Sequence, residues 1–216
     1  MEHAKTIKEF IPSVEEALLF KREWIDTKTD YDSYRELSSA FVNKTLSKEI
    51  LSRRCDLIYK TYNQRAAIKK RLLSAEYLMS IDNLEGRLLG GDLSLPDEIV
   101  RGNSGNQFVF AVMFCHHSNP SAFYGCTGNS IHAIIELNKY DRFWNLELHE
   151  MDLRKYTLFH SVMDSFVKYY HLEMLSHLEL DIMLRGISRI IEKRKNEKEH
   201  ITYNHIAGNA IHGFGL

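Results

Sequence analysis

Hydrophobic positions in the first fifty residues recur at helical spacing, and polar residues stand where helices would begin. Ser13 followed by Glu16 is typical of a capping box, in which side chains satisfy free amides of the first helical turn. The pattern predicts three helices here: one over 14–25, one from Asp30 or Asp32 to Phe41, and one that begins at Ser47. We therefore expect residues 1–54 to form a helical N-terminal extension.

The last third of the chain shows the same periodicity. Apolar side chains between 155 and 195 keep a helical spacing, and Gly186 is the one weak point for a helix in this region. The pattern therefore predicts a helical C-terminal segment.

The middle of the chain is instead predicted to form β-strands. Phe108–Phe114 is a continuous apolar run of strand length, Ser130–Leu137 is a second such run, and Phe143–Glu150 alternates hydrophobic with polar residues. Asn138–Asp141 is suited to a turn between the last two segments. This spacing predicts a three-stranded antiparallel core.

Two further regions have less regular patterns. After the third helix, the sequence fits either one long helix or a strand over Asp56–Tyr62, a helix over Gln64–Ser74 and a strand over Glu76–Ser80, and the β-rich LIYKTY favours the second interpretation. Residues 83–107 are rich in Gly, Asn and Ser, which predicts a long loop. The whole pattern predicts a single α+β domain over 1–216, with helical ends around a small central antiparallel sheet.

Composition excludes several classes of protein. The 216 residues contain 28 Lys and Arg against 29 Asp and Glu, a net charge of -1, so general affinity for nucleic acid is not expected. No apolar run approaches the roughly 20 residues of a membrane span, and the charged start lacks the apolar core of a signal peptide. The 3 cysteines are too few for a disulfide framework, which favours a reducing compartment and a cytoplasmic protein.

Histidines supply the most distinctive chemistry. The densest group combines thiols and imidazoles, which are ligands that zinc prefers. It consists of Cys115, His116, His117, Cys126 and His132. Its spacing matches no common zinc module and contains no C-x-x-C pair. We therefore predict no metal site and expect solvated imidazoles at the end of a strand.

A second hypothesis makes Cys126 a nucleophile. The sequence YGCTGNS precedes an apolar run and loosely resembles the cysteine at the start of a helix in papain-like hydrolases and deamidases. The resemblance implies a downstream His oriented by an Asp or Asn. The candidate pairs are His149 with Asp152 and His205 with Asn209. Because 130–137 has the pattern of a strand, we do not expect a helix dipole to activate this thiol.

A third hypothesis rests on a pattern that runs from 57 to 150. The predicted elements follow one another as two strands, LIYKTY and VMFCHHS, then a turn with FYG and a further glycine, and then a strand, IHAIIEL. This order resembles ADP-ribosyltransferase-like domains and related bacterial proteins of obscure function. The resemblance implies NAD as the ligand, with Tyr62, Ser118 and Tyr124 as substrate-binding residues, His117 as an acid–base group or substrate contact, and Glu136 or Glu147 as the catalytic carboxylate.

A fourth pattern is a spacing between an arginine and a histidine near the C-terminus. Arg194 and His200 are spaced as in a helical ribonuclease family. They lie in a mixed-charge run that is typical of a solvated helix end, and the predicted sheet argues against an all-helical fold. We therefore do not expect this activity.

These observations leave three functional hypotheses. The first is a small cytosolic bacterial-type toxin, effector or defence enzyme that transfers or cleaves a nucleotide of the nicotinamide dinucleotide type. The second is a cysteine hydrolase or deamidase. The third is a non-catalytic interaction module or complex subunit, with a protein partner or a second copy of itself, and it requires a dry apolar groove between the N-terminal and C-terminal helices. A membrane partner is not expected, and nucleic acid is not favoured.

Overall fold

The computed structural model describes residues 12–42, 46–62, 68–102 and 107–193 of the chain. Over these ranges the chain forms helices joined by turns, and no residue among them lies in a β-strand. The helices are α1 (Val14–Asp26), α2 (Lys28–Ala40), α3 (Lys48–Thr61), α4 (Ile68–Ser80), α5 (Leu84–Gly90), α6 (Leu95–Gly102), α7 (Phe108–Ser118), α8 (Gly128–Asp141), α9 (Glu150–Leu153), α10 (Tyr156–Tyr169) and α11 (described over 177–193). None of them is long and apolar enough to cross a membrane.

The predicted α+β fold is therefore wrong, and α7 shows the physical reason. The run Phe108–Phe114, predicted as a strand, is the first part of this helix, and every residue from 110 to 117 is buried. A helix surrounded on all sides has no polar face, so its sequence shows no helical period. A short apolar run of this kind does not distinguish a buried strand from a buried helix.

The second predicted strand, Ser130–Leu137, lies within α8. Thr127 is its N-cap, and a reciprocal capping box joins the side chains and amides of Thr127 and Ser130. Asn138–Asp141, predicted as a turn, is the last turn of the same helix. The chain therefore turns later than expected, at Arg142, which has a left-handed backbone conformation.

The third predicted strand, Phe143–Glu150, is mostly irregular. Phe143 and Leu148 reach the core, but Leu146, which was expected to point inward, has 69% of its surface exposed. The alternation of hydrophobic and polar residues is therefore not that of a sheet face. Phe143 and Leu148 anchor the two ends of a segment that otherwise lies on the surface.

The predictions for the regions on either side of α4 are also wrong in part. Asp56–Tyr62 belongs to α3 and its C-cap, and Glu76–Ser80 is the end of α4. The predicted loop over 83–107 contains α5 and α6. The expected boundary of the N-terminal extension, at residue 54, falls inside α3.

The predicted helix starts at Ser13 and Ser47 are confirmed. The side chain of Ser13 accepts from the amide of Glu16 at 3.2 Å, and Ser47 caps α3 by accepting from Ile50 at 3.3 Å. The C-terminal helical region is confirmed with one correction. It breaks at 170–176, where His171 has a φ of 55°, and Gly186 lies inside α11.

Gly186 brings α1 and α11 into close contact. A Cβ atom at this position would lie 2.4 Å from Cδ1 of Phe20, a distance that no side chain tolerates. Glycine therefore lets the first and last described helices approach closely, and this contact positions the candidate site.

Candidate functional site

The polar end of α7 carries two histidines into the interior of the protein. The Tyr62 hydroxyl and His117 Nε2 share a hydrogen bond of 2.8 Å. The rings of Tyr34 and Phe41 pack against the His117 imidazole, with centroids at 5.3 and 5.5 Å. His117 is therefore held by three aromatic side chains from α2, α3 and the turns that follow them.

An ion pair from α11 lies beside these rings. Asp181, with 1% of its surface exposed, lies 3.1 Å from Nη2 of Arg185 one helical turn later. Its other carboxylate oxygen accepts a hydrogen bond of 2.7 Å from the Ser130 hydroxyl in the first turn of α8. The guanidinium of Arg185 lies 5.9 Å from the centre of the Trp24 ring.

We call this set of residues the buried polar cluster. It consists of the buried His116, His117 and Asp181 and the partly buried Tyr34, Tyr62 and Arg185. Electrostatic interactions with Asp181 and Arg185 act on both His116 and Tyr62, so the histidines and the ion pair form one neighbourhood.

Three buried polar atoms in the cluster have no hydrogen-bond partner among the residues that the structure describes. His116 Nδ1 lies 2.8 Å from the Phe123 carbonyl, so Nδ1 carries the proton and Nε2, which has no partner, is an acceptor. Oδ2 of Asp181 also has none, because its ion pair with Nη2 of Arg185 is not a hydrogen bond, and neither does Nε of Arg185. Each unmade bond costs about 1–3 kcal/mol, so a concentration of them marks a candidate site.

Burial keeps the titratable rings of the cluster neutral. Desolvation lowers the pKa of His117 well below its usual value and also lowers that of His116. Desolvation raises the pKa of Tyr34 and raises that of Tyr62 well above its usual value. General acid–base catalysis requires a pKa near the working pH, and none of these four shifts brings a pKa closer to neutrality. The arrangement is better suited to binding than to proton transfer.

A cleft of about 210 Å³ opens above the cluster, between α1 and α11. Arg185 belongs to both, because it lines the cleft and pairs with Asp181. The other lining residues are Phe20, Glu23, Trp24, Thr27, Ile182, Gly186, Arg189 and Ile190. The interaction hypothesis required a dry apolar groove at this place. This cleft is lined by three charged side chains, so it is not the apolar groove that the hypothesis required.

The four residues predicted to bind a nicotinamide dinucleotide do not share one site. Tyr62 and His117 are hydrogen-bonded in the cluster. The Ser118 hydroxyl instead donates to the carbonyl of Phe114 in its own helix at 2.8 Å. The Tyr124 hydroxyl donates to Asp164 at 2.9 Å, and its ring lies 3.9 Å from that of His177.

The two candidate carboxylates lie near a second cavity. Glu136 pairs with Lys139 at 2.8 Å on α8. Glu147 is exposed and lines the cavity together with Lys139. Neither carboxylate lies in the buried polar cluster or lines the cleft.

Cys126 directly precedes the N-cap of α8, so the helix that the papain-like resemblance requires is present after all. The thiol is nevertheless fully buried, and desolvation raises its pKa well above the usual value. Burial therefore opposes the activation that a helix start gives a cysteine, and the geometry gives no thiolate. His149 and Asp152 are exposed around α9, whereas His205 and Asn209 lie outside the described residues.

The candidate zinc ligands are also dispersed. Within the described ranges, no group of three or more His, Cys, Asp or Glu side chains is placed to hold a metal ion. Cys115 is buried, and Nδ1 of His132 lies 3.0 Å from the Ser188 hydroxyl. Arg194 and His200, the pair spaced as in a ribonuclease, lie outside the described residues.

Sequence reasoning missed Tyr34, Asp181 and Arg185. A signal for the last two is present, because they are opposite charges four residues apart in a stretch, LELDIMLRGISRII, whose other residues are mostly apolar. Such a pair inside a hydrophobic helix indicates a buried ion pair. Tyr34 has no comparable signal.

Comparisons with known proteins add little to this description. No protein-family model matches the chain, and no solved structure matches it significantly. An uncharacterised protein of Haemophilus influenzae is 29% identical over 126 residues, which are 56% of this chain and 59% of that protein. The chain therefore spans less than two thirds of that relative's length. None of the matches supports the resemblance to ADP-ribosyltransferase-like domains, whose expected strands are α3, α7 and α8 here.

Proposed function

We propose that the protein binds a small anionic molecule, a carboxylate or a phosphate, in the cleft between α1 and α11. The observation that carries this proposal is the position of Arg185. Its side chain lines the cleft, and its Nη2 lies 3.1 Å from Oδ2 of Asp181. Arg189, one helical turn later, lines the same cleft. Guanidinium groups bind planar anions through paired, charge-assisted hydrogen bonds.

The buried polar cluster supports this proposal because it fixes Arg185 in place. Asp181 is itself held by the Ser130 hydroxyl at 2.7 Å, so the pair is oriented by two helices. A binding group that is held before its ligand arrives loses less entropy on binding. Burying two charges costs several kcal/mol each, and an apolar pair often gives equal stability. A binding role accounts for the presence of charges at this position.

Binding is favoured over catalysis by the protonation states of the cluster. The shifts of His116, His117, Tyr34 and Tyr62 all favour the neutral form at pH 7. The hypotheses of a nucleotide-transferring enzyme and of a cysteine hydrolase remain predictions, and the described contacts give neither a poised base nor an exposed thiolate.

Calorimetric titration with sodium phosphate and with sodium succinate tests the proposal. We expect one of the two anions to bind, with a change in the emission of Trp24, which lines the cleft. Arg189→Gln is expected to weaken binding about ten-fold, the equivalent of about 1.4 kcal/mol. Arg189 is exposed, so its replacement leaves the core intact.

The matched control is Arg22→Gln. Arg22 is an exposed arginine of α1 that does not line the cleft, and its replacement removes the same charge. Binding should be unchanged in this variant. Equal weakening in both variants, or no binding of either anion at millimolar concentration, would contradict the proposal.

A further inference from the structure

A second cavity lies away from the cleft, between the end of α8 and the segment that follows it. Its volume is about 330 Å³, and none of its lining residues lines the cleft. We call it the loop pocket. The residues that give it chemical character are Lys139, Arg142, Trp144, Asn145 and Glu147.

The wall of the loop pocket is held by one buried side chain. Asn138, with 6% of its surface exposed, accepts from the amide of Trp144 at 2.8 Å and donates to the carbonyl of Leu146 at 3.1 Å. Phe143 and Leu148 anchor the two ends of the segment in the core. The shape of the pocket is therefore set by the fold itself, as in most small-molecule sites.

Arg142 occupies a backbone position that favours glycine. It ends α8 with φ 49° and ψ 40°, and its amide donates to the carbonyl of Asn138 at 3.0 Å. Left-handed conformations carry a steric penalty for residues with a Cβ atom, so helix ends of this type usually have Gly. The Arg142 side chain makes no ion pair or hydrogen bond with any residue that the structure describes. Its guanidinium can therefore pair with an anion that enters the loop pocket.

The pocket combines groups that suit a ring-bearing anion. Trp144 is partly exposed and offers an aromatic surface on which a planar ring stacks. Arg142 offers a guanidinium to a phosphate, whereas Lys139 already pairs with Glu136 at 2.8 Å. Glu147 is an exposed carboxylate that accepts hydrogen bonds from hydroxyl groups.

We propose that the loop pocket binds a nucleoside monophosphate. The base stacks on Trp144, the phosphate pairs with Arg142, and the ribose hydroxyls donate to Glu147. The volume is near the lower limit of roughly 300 Å³ for ligand cavities, which fits one nucleotide better than two. This site is separate from the cleft and does not depend on the function proposed for it.

Calorimetric titration of the full chain with adenosine monophosphate tests this proposal. We expect binding, and we expect adenosine without its phosphate to bind at least ten-fold more weakly. Arg142→Gly is expected to weaken the binding of adenosine monophosphate at least ten-fold without lowering the melting temperature, because glycine relieves the left-handed backbone. A loss of binding in a variant that is no less stable cannot be attributed to misfolding.

His171→Gly is the matched control for Arg142→Gly. His171 has a φ of 55°, is exposed and does not line the loop pocket, so the same backbone strain is relieved elsewhere. Its affinity for adenosine monophosphate should equal that of the unmodified chain. No binding of adenosine monophosphate, or equal binding by Arg142→Gly and the unmodified chain, would overturn the proposal.

The two tryptophans of the chain separate this proposal from the proposed function. Adenosine monophosphate should change the emission of Trp144, and the change should persist in Trp24→Phe and disappear in Trp144→Phe. An emission change that depends on Trp24 alone would place the nucleotide in the cleft and overturn the proposal for the loop pocket.

Discussion

The cleft and the loop pocket both present arginines to a cavity, but they hold them in different ways. Arg185 is fixed by an aspartate that has 1% of its surface exposed, beside the buried rings of His116 and His117 and the partly buried rings of Tyr34 and Tyr62. Arg142 extends from a helix end into an open pocket whose wall depends on a single asparagine. The carboxylate that holds Arg185 is thus part of the core, whereas Arg142 and Glu147 of the loop pocket are exposed.

This difference predicts how each region responds to mutation. A buried charge that loses its partner remains desolvated, so the whole fold is destabilised. Removal of an exposed charge leaves no buried group without a partner, so the free energy of unfolding changes little. We therefore expect substitutions in the cluster to lower the free energy of unfolding. Substitutions of the exposed side chains of the loop pocket should mainly change ligand affinity.

The largest expected effect is that of Asp181→Ala. It leaves the Arg185 guanidinium without its counter-ion and the Ser130 hydroxyl without its acceptor. We expect the free energy of unfolding to fall by about 3 kcal/mol, the low end of the range because 19% of the Arg185 side chain is exposed. Urea denaturation measures this change.

Glu147→Ala is the corresponding change in the loop pocket. It should alter the free energy of unfolding by no more than about 0.5 kcal/mol. Similar losses in the two variants would show that the contrast between buried and exposed polar groups does not govern stability here. Adding Arg185→Met to Asp181→Ala should restore part of the loss, because the unpaired charge is then removed.

The second expected effect is a loss of stability in acid. Because burial lowers the pKa of His117 in the folded state, the unfolded chain binds more protons below about pH 6.5. The stabilisation is therefore present above that pH and decreases as the pH falls. One such histidine contributes about 1.4 kcal/mol per pH unit once the unfolded state is protonated.

Urea denaturation between pH 7.5 and pH 5 in about half-unit steps measures this dependence. His117→Phe should reduce the slope, because phenylalanine fits among the rings of Tyr34 and Phe41 and does not titrate, and part of the slope should remain because the pKa of His116 is also lowered. The same slope in the variant and the unmodified chain would indicate that His117 is not the group responsible.

Among the changes expected to destabilise the protein, Asn138→Ala in the wall of the loop pocket has the smallest effect. The variant loses the hydrogen bonds to Trp144 and Leu146, at a cost of about 1–2 kcal/mol. Amide hydrogen exchange over 143–148 should accelerate more than the global loss of stability explains. Asn145→Ala, an exposed change in the same segment, should leave exchange and stability unchanged. Equal exchange rates in the two variants would show that Asn138 does not hold the pocket wall.

Parts of the candidate site could be found from the sequence, but the structure brings them together for a different reason than the one expected. Tyr62 and His117 were singled out through a resemblance that implied strands, yet they meet because α3 and α7 pack together. Asp181 and Arg185 could have been found from the sequence, because they are opposite charges one turn apart in a largely apolar helix. Nothing in the sequence indicated that Tyr34 or Trp24 would lie beside them.

The sequence by itself determined the helix starts at Ser13 and Ser47. Their capping bonds close within three residues, so the necessary atoms are present in a short window. Only the tertiary structure decided that the apolar runs of α7 and α8 are helices, because α7 is buried over 110–117 and shows no period, and the short run in α8 fits a strand as well as a helix. It also decided which polar groups meet: the Tyr62–His117 and Ser130–Asp181 bonds join residues 55 and 51 positions apart. Such contacts depend on how distant helices pack, which no local pattern encodes.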